Sequence, residues 1–142
     1  MRFPAILLCL FCPAANAGGD LRATAGYVLD GDTFSAKIHL ENGAVFARVR
    51  IANIDAPELS GECGEEKELA NQARHRLSAL LPEGTAVYLS KIKDDKYLGR
   101  IDALVSLDGK DIGEIMIAEK LARRYNGGRR APWCPQNEEE KK

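Results

Sequence analysis

Between Val45 and Leu81 the apolar residues of this chain change period, and that change restricts the folds open to it. In "AVFARVRIANI" Val45, Ala47, Val49 and Ile51 alternate with Phe46, Arg48 and Arg50. A period of two predicts a strand with one face turned inward. In "EEKELANQARHRLSALL" the residues Leu69, Ala73, Leu77, Leu80 and Leu81 recur at helical spacing. Glu65 and Glu66 stand where a helix N-terminus favours negative charge, and "PEG" at 82–84 stops the run. Before the switch, "LRATAGYVLD" and "DTFSAKIHL" flank the Asp30-Gly31 turn signal, and "ENG" at 41–43 marks a second turn. After it, "TAVYLSKI" and "RIDALVSL" read as strands joined by a polar loop. "DIGEIMIAEKLARRY" then reads as a helix with Asp111 as its N-cap. Three strands, a helix, two strands and a helix is the order of an OB-type barrel. The expected fold is therefore mainly β: a five-stranded OB barrel with two α-helices and at most a short third.

The length of 142 residues suits one domain, and its first residues stand apart from it. "MRFPAILLCLFCPAANA" has Arg2, an apolar run and then Ala15-Asn16-Ala17, the pattern of a secretory signal peptide. The run is too short for a spanning helix, which takes about 20 residues. The organisation expected is a signal peptide over 1–17, a domain over 20–134 and a charged tail over 135–142. Cleavage near Ala17 gives a periplasmic or secreted monomer with no membrane anchor. Losing Arg2 leaves 19 of the 20 Lys and Arg against 21 Asp and Glu, a net charge of −2. A general nucleic-acid binder is usually basic, so anion binding must rest on local clusters. Cys9 and Cys12 leave with the signal, and an exported chain holding only Cys63 and Cys134 favours a disulfide between them.

Three clusters carry chemistry: Asp30 and Asp32 in "DGDT"; Arg50 with Asp55 and Glu58 in "RVRIANIDAPE"; and Lys96, Tyr97 and Arg100 in "DDKYLGR". Singly, each has a plain structural role. Asp30 fits an Asp-Gly turn, Arg50 a solvated strand face and Arg100 a surface ion pair. Together they combine hard oxygen donors for a cation such as calcium with forked phosphate binders and a free carboxylate. Metal, arginines and a base make a constellation that cleaves phosphodiesters. Strict alternation, however, puts Arg50 and Asp55 on opposite faces. They share a site only if the chain bends near Ala52 to Ile54.

"VLDGDT", "RVRIANIDAPE", "DKYLGR" and "EKLARRY", in this order, resemble the staphylococcal nuclease (thermonuclease) family over roughly Ala25 to Tyr125. The resemblance implies an OB barrel and calcium-dependent hydrolysis of DNA and RNA with little sequence preference. It implies that Asp32, Asp55 and the backbone carbonyl of Ala56 hold Ca2+. It gives Glu58 the role of general base, Arg50 and Arg100 that of phosphate-binding catalytic arginines, and Lys96, Tyr97 and Tyr125 contacts to substrate. Three departures stand out: Leu98 is inserted between Tyr97 and Gly99, little chain follows Cys134, and the strong positive charge is missing. The insertion leaves either Tyr97 or Arg100 more securely in place, and Arg100, opening a strand, is the expected one. "RRYNGGRRAPWC" compensates in part, since arginines beside Tyr125 and Trp133 suit single-strand binding. A Cys63–Cys134 bridge would tie the Glu58 turn to that basic loop. The rival reading is a non-catalytic OB module that holds single-stranded nucleic acid.

Overall fold

Turn chemistry and alternation set the strands where the sequence places them. The computed structural model describes residues 19–136; the expected signal peptide and residues 137–142 of the tail lie outside the described residues. In chain order the elements are β1 (Leu21–Val28), β2 (Thr33–Leu40), β3 (Gly43–Ile51), β4 (Ile54–Asp55), α1 (Gly64–Leu80), β5 (Ala86–Asp94), β6 (Arg100–Leu107), β7 (Lys110–Asp111), α2 (Ile112–Ala118) and β8 (Arg123–Arg124). The sheet runs β3-β2-β1-β5-β6-β7, and a further β3–β6 pairing closes the five long strands into a barrel. The other pairs of long strands are antiparallel, whereas the closing pair is parallel. Phe34, Val49, Ile51, Leu89 and Val105 fill the core, which Leu77 of α1 and Met116 of α2 extend. No helix among the described residues is long and apolar enough to cross a membrane.

Two expectations need correction. The inward face predicted for β3 holds only for its second half. Val49 and Ile51 are fully buried, but Val45 is exposed and Phe46 is 82% exposed. Only Arg48–Ile51 pair with β6, so the first half of β3 is an arm of the β2–β3 hairpin reaching past the barrel. The second correction concerns α2, expected to run to Tyr125. It stops at Ala118, with Leu121 N–H donating to Met116 O and Lys120 N–H to Ile117 O. This is a Schellman stop with Lys120 in the left-handed position at φ 61°. Glycine usually fills that place, so the sequence carries no visible stop signal. The chain then forms β8, which pairs with β4 and brings Arg123 opposite Asp55. Asp111 caps α2 as expected, accepting from Glu114 N–H at 3.0 Å.

Candidate active site

The chain bends between Arg50 and Asp55 as the alternation demands, but by a turn rather than a bulge. β3 ends at Ile51, Ala52 and Asn53 turn, and β4 begins at Ile54. Two backbone bonds pin the turn: Ala52 N–H donates to Ala103 O at 2.9 Å, and Tyr125 N–H to Asn53 O at 2.9 Å. The Arg50 side chain reaches across it, its Nη2 donating to Ile54 O at 3.1 Å. Arg50 is only 5% exposed, not on a solvated face as its plain reading has it.

Asp32 arrives from the β1–β2 turn. Asp30 Oδ1 accepts from Asp32 N–H at 3.1 Å, the local turn bond expected of Asp30. Gly31 admits the neighbours of this turn, because a Cβ there would meet Ala73 Cβ of α1 at 2.7 Å and Ala56 Cβ at 2.9 Å. Asp32 Oδ2 lies 3.6 Å from Arg50 Nη2 and accepts from Ala56 N–H at 3.3 Å. Arg50, Asp32, Asp55 and Ala56 are all buried. Burial first, then the charge on Asp32, pushes Asp30 up to about 6. Burial is likewise the main force that raises Asp55, with Arg130 and Trp133 pulling the other way.

The parallel closing pair places the second arginine. Its register sets Arg48 opposite Arg100 and Arg50 opposite Asp102, so all four start from one face. Arg100 pairs with Asp95, and its guanidinium lies 4.3 Å from the centre of the Tyr97 ring. Lys96 Nζ lies 5.0 Å from the same ring. Tyr97 and Arg100, of which Arg100 is the one expected to keep its place more securely, stay in contact across the insertion. Leu98 is 99% exposed, Gly99 turns with φ 74°, and Arg100 N–H still reaches Tyr97 O at 3.2 Å. The inserted residue loops outward and leaves both neighbours in contact.

Glu58, Lys96, Tyr97, Arg100, Tyr125 and Arg130 line one cleft of about 720 Å³. The Tyr125 ring centre is 5.5 Å from the Arg50 guanidinium. Glu58 is exposed at the mouth, but its loop is held from behind. The buried Glu66 of α1 accepts Glu58 N–H at Oε1 and Glu62 N–H at Oε2, both at 3.1 Å. Gly61 packs so closely that a Cβ would lie 2.5 Å from the Glu66 carboxyl carbon. The sequence assigned Glu66 only to the helix N-terminus. Nothing local signals its grip on a loop that precedes the helix.

Arg130 was also missed as an individual, although its loop was not. Its Nε lies 3.2 Å from Asp55 Oδ1 and its Nη1 3.0 Å from Glu58 Oε1. Trp133 Nε1 donates to Asp55 Oδ2 at 3.2 Å, and Arg123 stacks 3.7 Å from the Trp133 ring centre. Cys134 then closes the expected disulfide with Cys63, their Cα atoms 5.9 Å apart. The same two sulfurs with Glu66 form a compact ligand-like trio, but bridged sulfurs are not thiolates and cannot serve as zinc ligands.

The donor set fits a hard cation. Asp32 and Asp55 are buried carboxylates that repel each other, and Asp55 Oδ1 is buried without a hydrogen bond. Its contact with Arg130 has ion-pair distance without hydrogen-bond alignment. All the donors are oxygens, which suits calcium or magnesium over softer metals.

Residues 48–141 of the 142 match the family described as staphylococcal nuclease homologue. No curated protein matches the chain. The matched stretch begins in β3, so β1, β2 and Asp32 precede it.

Proposed function

The chain belongs to the staphylococcal nuclease family, and from that premise we propose that it is an exported, calcium-dependent nuclease that hydrolyses DNA and RNA with little sequence preference. One observation carries this reading. Arg100 and the exposed Glu58 line one cleft, and Arg50 joins Arg100 along an adjoining pocket and contacts the buried Asp32. The buried Asp55 shares a third pocket with Glu58, and Arg130 is common to all three. A module that only holds nucleic acid gains from the arginines but has no use for Glu58 beside Asp55.

Asp32, Asp55 and the Ala56 carbonyl would hold the cation, which supplies a Lewis acid for the phosphoryl oxygen. The chain's own residues supply the rest. Arg100 and Arg50 neutralise charge that builds on the phosphoryl oxygens, and a guanidinium fork suits two oxygens at once. Arg50 is fixed by Ile54 O and Arg100 by Asp95, so little reorganisation is needed as the charge develops. Glu58 takes a proton from the attacking water, and Glu66 fixes its backbone for that task. Lys96, Tyr97 and Tyr125 line the cleft where a strand's flanking phosphates and bases lie. Export fits the disulfide, which persists in an oxidising compartment.

The test is to incubate the purified protein with plasmid DNA and with RNA, in calcium or in a chelator. Degradation of both substrates only in calcium is expected. Retention of the substrates without cleavage in either condition overturns the enzyme reading in favour of the binding module.

A further inference from the structure

Arg48 and Arg130 are cations of the cleft that the proposed hydrolysis does not use, and Arg130 is the one paired with carboxylates of the site. Arg130 touches the carboxylate proposed to bind calcium and the one proposed to activate water, at 3.2 Å and 3.0 Å. Its ring neighbour is Tyr125, 5.7 Å from the guanidinium carbon. The segment around it is fastened independently. Tyr125 Oη donates to Gly128 O, Arg123 Nη1 donates to Pro132 O, Trp133 holds Asp55, and Cys134 is bonded to Cys63. A strap from Tyr125 to Cys134 thus carries a positive charge to a buried aspartate and pins it there.

Uncompensated carboxylates near one another in a buried setting are costly, and a guanidinium offsets that cost. Asp55 Oδ1 nevertheless finds no hydrogen bond in this pairing. Arginine needs a particular fork angle, whereas a hard cation accepts oxygen donors over a broad range of geometry. The oxygen is neutralised in charge but left open for a ligand of higher charge.

We propose that Arg130 is an internal counter-cation: in the metal-free protein it neutralises Asp55 and Glu58, and a divalent cation must displace it to bind. The inference rests on the reading of Asp32 and Asp55 as cation ligands. It makes the strap a competitor for the metal, tethered by the disulfide at a high effective concentration. Displacement also breaks the surroundings of Trp133, whose indole shares Asp55 with Arg130.

Calcium alone, without nucleic acid, is the probe. Binding is read by titration calorimetry and by the emission of Trp133, the chain's single tryptophan. Calcium should change that emission in the unaltered protein. Arg130→Gln should bind calcium about tenfold more tightly, in the range of ordinary coupling between competing ligands. Arg130→Lys, which keeps the charge but loses the fork, should fall between the two. Without calcium Arg130→Gln should melt at a lower temperature than the unaltered protein, and saturating calcium should close that gap. Equal or weaker calcium affinity in Arg130→Gln overturns the counter-cation while leaving the calcium site standing. Absence of binding in both proteins overturns the calcium site and the counter-cation with it. Should Arg130→Gln fail to fold without calcium, Arg130→Lys carries the test, and affinity no tighter than that of the unaltered protein overturns the proposal.

Discussion

The site has two walls built in different ways. The barrel wall is Asp32, Arg50 and Asp55, all buried, with Arg50 tied to the backbone of Ile54 and Asp32 to that of Ala56. The strap wall is Tyr125, Arg130 and Trp133, half-buried or exposed, held by ion pairs, stacking and one disulfide. Backbone-anchored groups keep their geometry as long as the barrel is folded. Side-chain contacts at the surface are weaker and can be exchanged for a ligand. On the proposed function one wall would set reaction geometry and the other would balance charge, a division that substitutions on either side can test.

The largest effect should come from the chemistry seated on the barrel side. Glu58→Gln keeps the shape but removes the base, and turnover should fall about 10²- to 10⁴-fold. Substrate affinity, read by binding in a chelator, should change little. Arg50→Ala should lower turnover about 10²- to 10³-fold. It should also destabilise the fold by about 3 kcal/mol, because Asp32 loses its partner in a buried setting. Normal cutting by Glu58→Gln would sink the base assignment and with it the role given to Glu66.

Next in size is the bridge that carries the strap. Cys63→Ser with Cys134→Ser should lower stability by about 4 kcal/mol in a denaturant melt, from the chain-entropy cost of a long loop. The division predicts that calcium-dependent turnover survives better than stability does, since the barrel wall is untouched. Loss of turnover equal to that of Glu58→Gln would mean that the strap belongs to the reacting machinery.

A smaller effect should come from loosening the support of the Glu58 loop. Gly61→Ala forces the Glu66 carboxylate to move, and Glu66→Gln presents an amide donor to one of two backbone donors. Each should lower kcat about tenfold by misplacing Glu58. KM should be little affected, because the arginines proposed to bind phosphate are elsewhere. A rise in KM with unchanged kcat would contradict a positioning role.

How much of this was legible depended on sequence distance. The long strands, both helices and the carboxylates and arginines of the candidate site all sit in patterns a few residues wide: alternation, Asp-Gly turns, an N-cap at Asp111. Even the bend between Arg50 and Asp55 could be demanded from alternation alone, though its form as an Ala52-Asn53 turn could not. Arg130 was missed because it meets Glu58 from 72 residues away. Glu66, although its partners are only 8 and 4 residues away, was missed because they are backbone N–H groups that no side-chain pattern announces. Charge in "GGRRAPWC" showed that arginines were present, but the choice of Arg130 over Arg129 depends on how the disulfide and Trp133 seat the strap. The end of α2 was hidden because a lysine fills a position where glycine would have announced it.

The smallest effect tests whether the barrel wall carries an uncompensated charge that the strap does not relieve. Asp102 lies opposite Arg50 on the closing strands, and its Oδ1 is buried without a partner. Burial first, then Asp95, raises its pKa above 3.8, while Arg50 and Arg100 lower it only in part. Between the unfolded value and the raised folded one, the folded state holds more protons than the unfolded state. Stability therefore falls as pH rises through that window. Asp102→Asn removes the titration, so its melting temperature should fall less than that of the unaltered protein between acidic and neutral pH. The difference should be a few degrees at most, on the order expected for a partly exposed group. Parallel melting curves for the two proteins across that range would show that Arg50 and Arg100 already balance Asp102. The barrel wall would then be electrostatically complete without the strap, and Arg130 would answer to Asp55 and Glu58 alone.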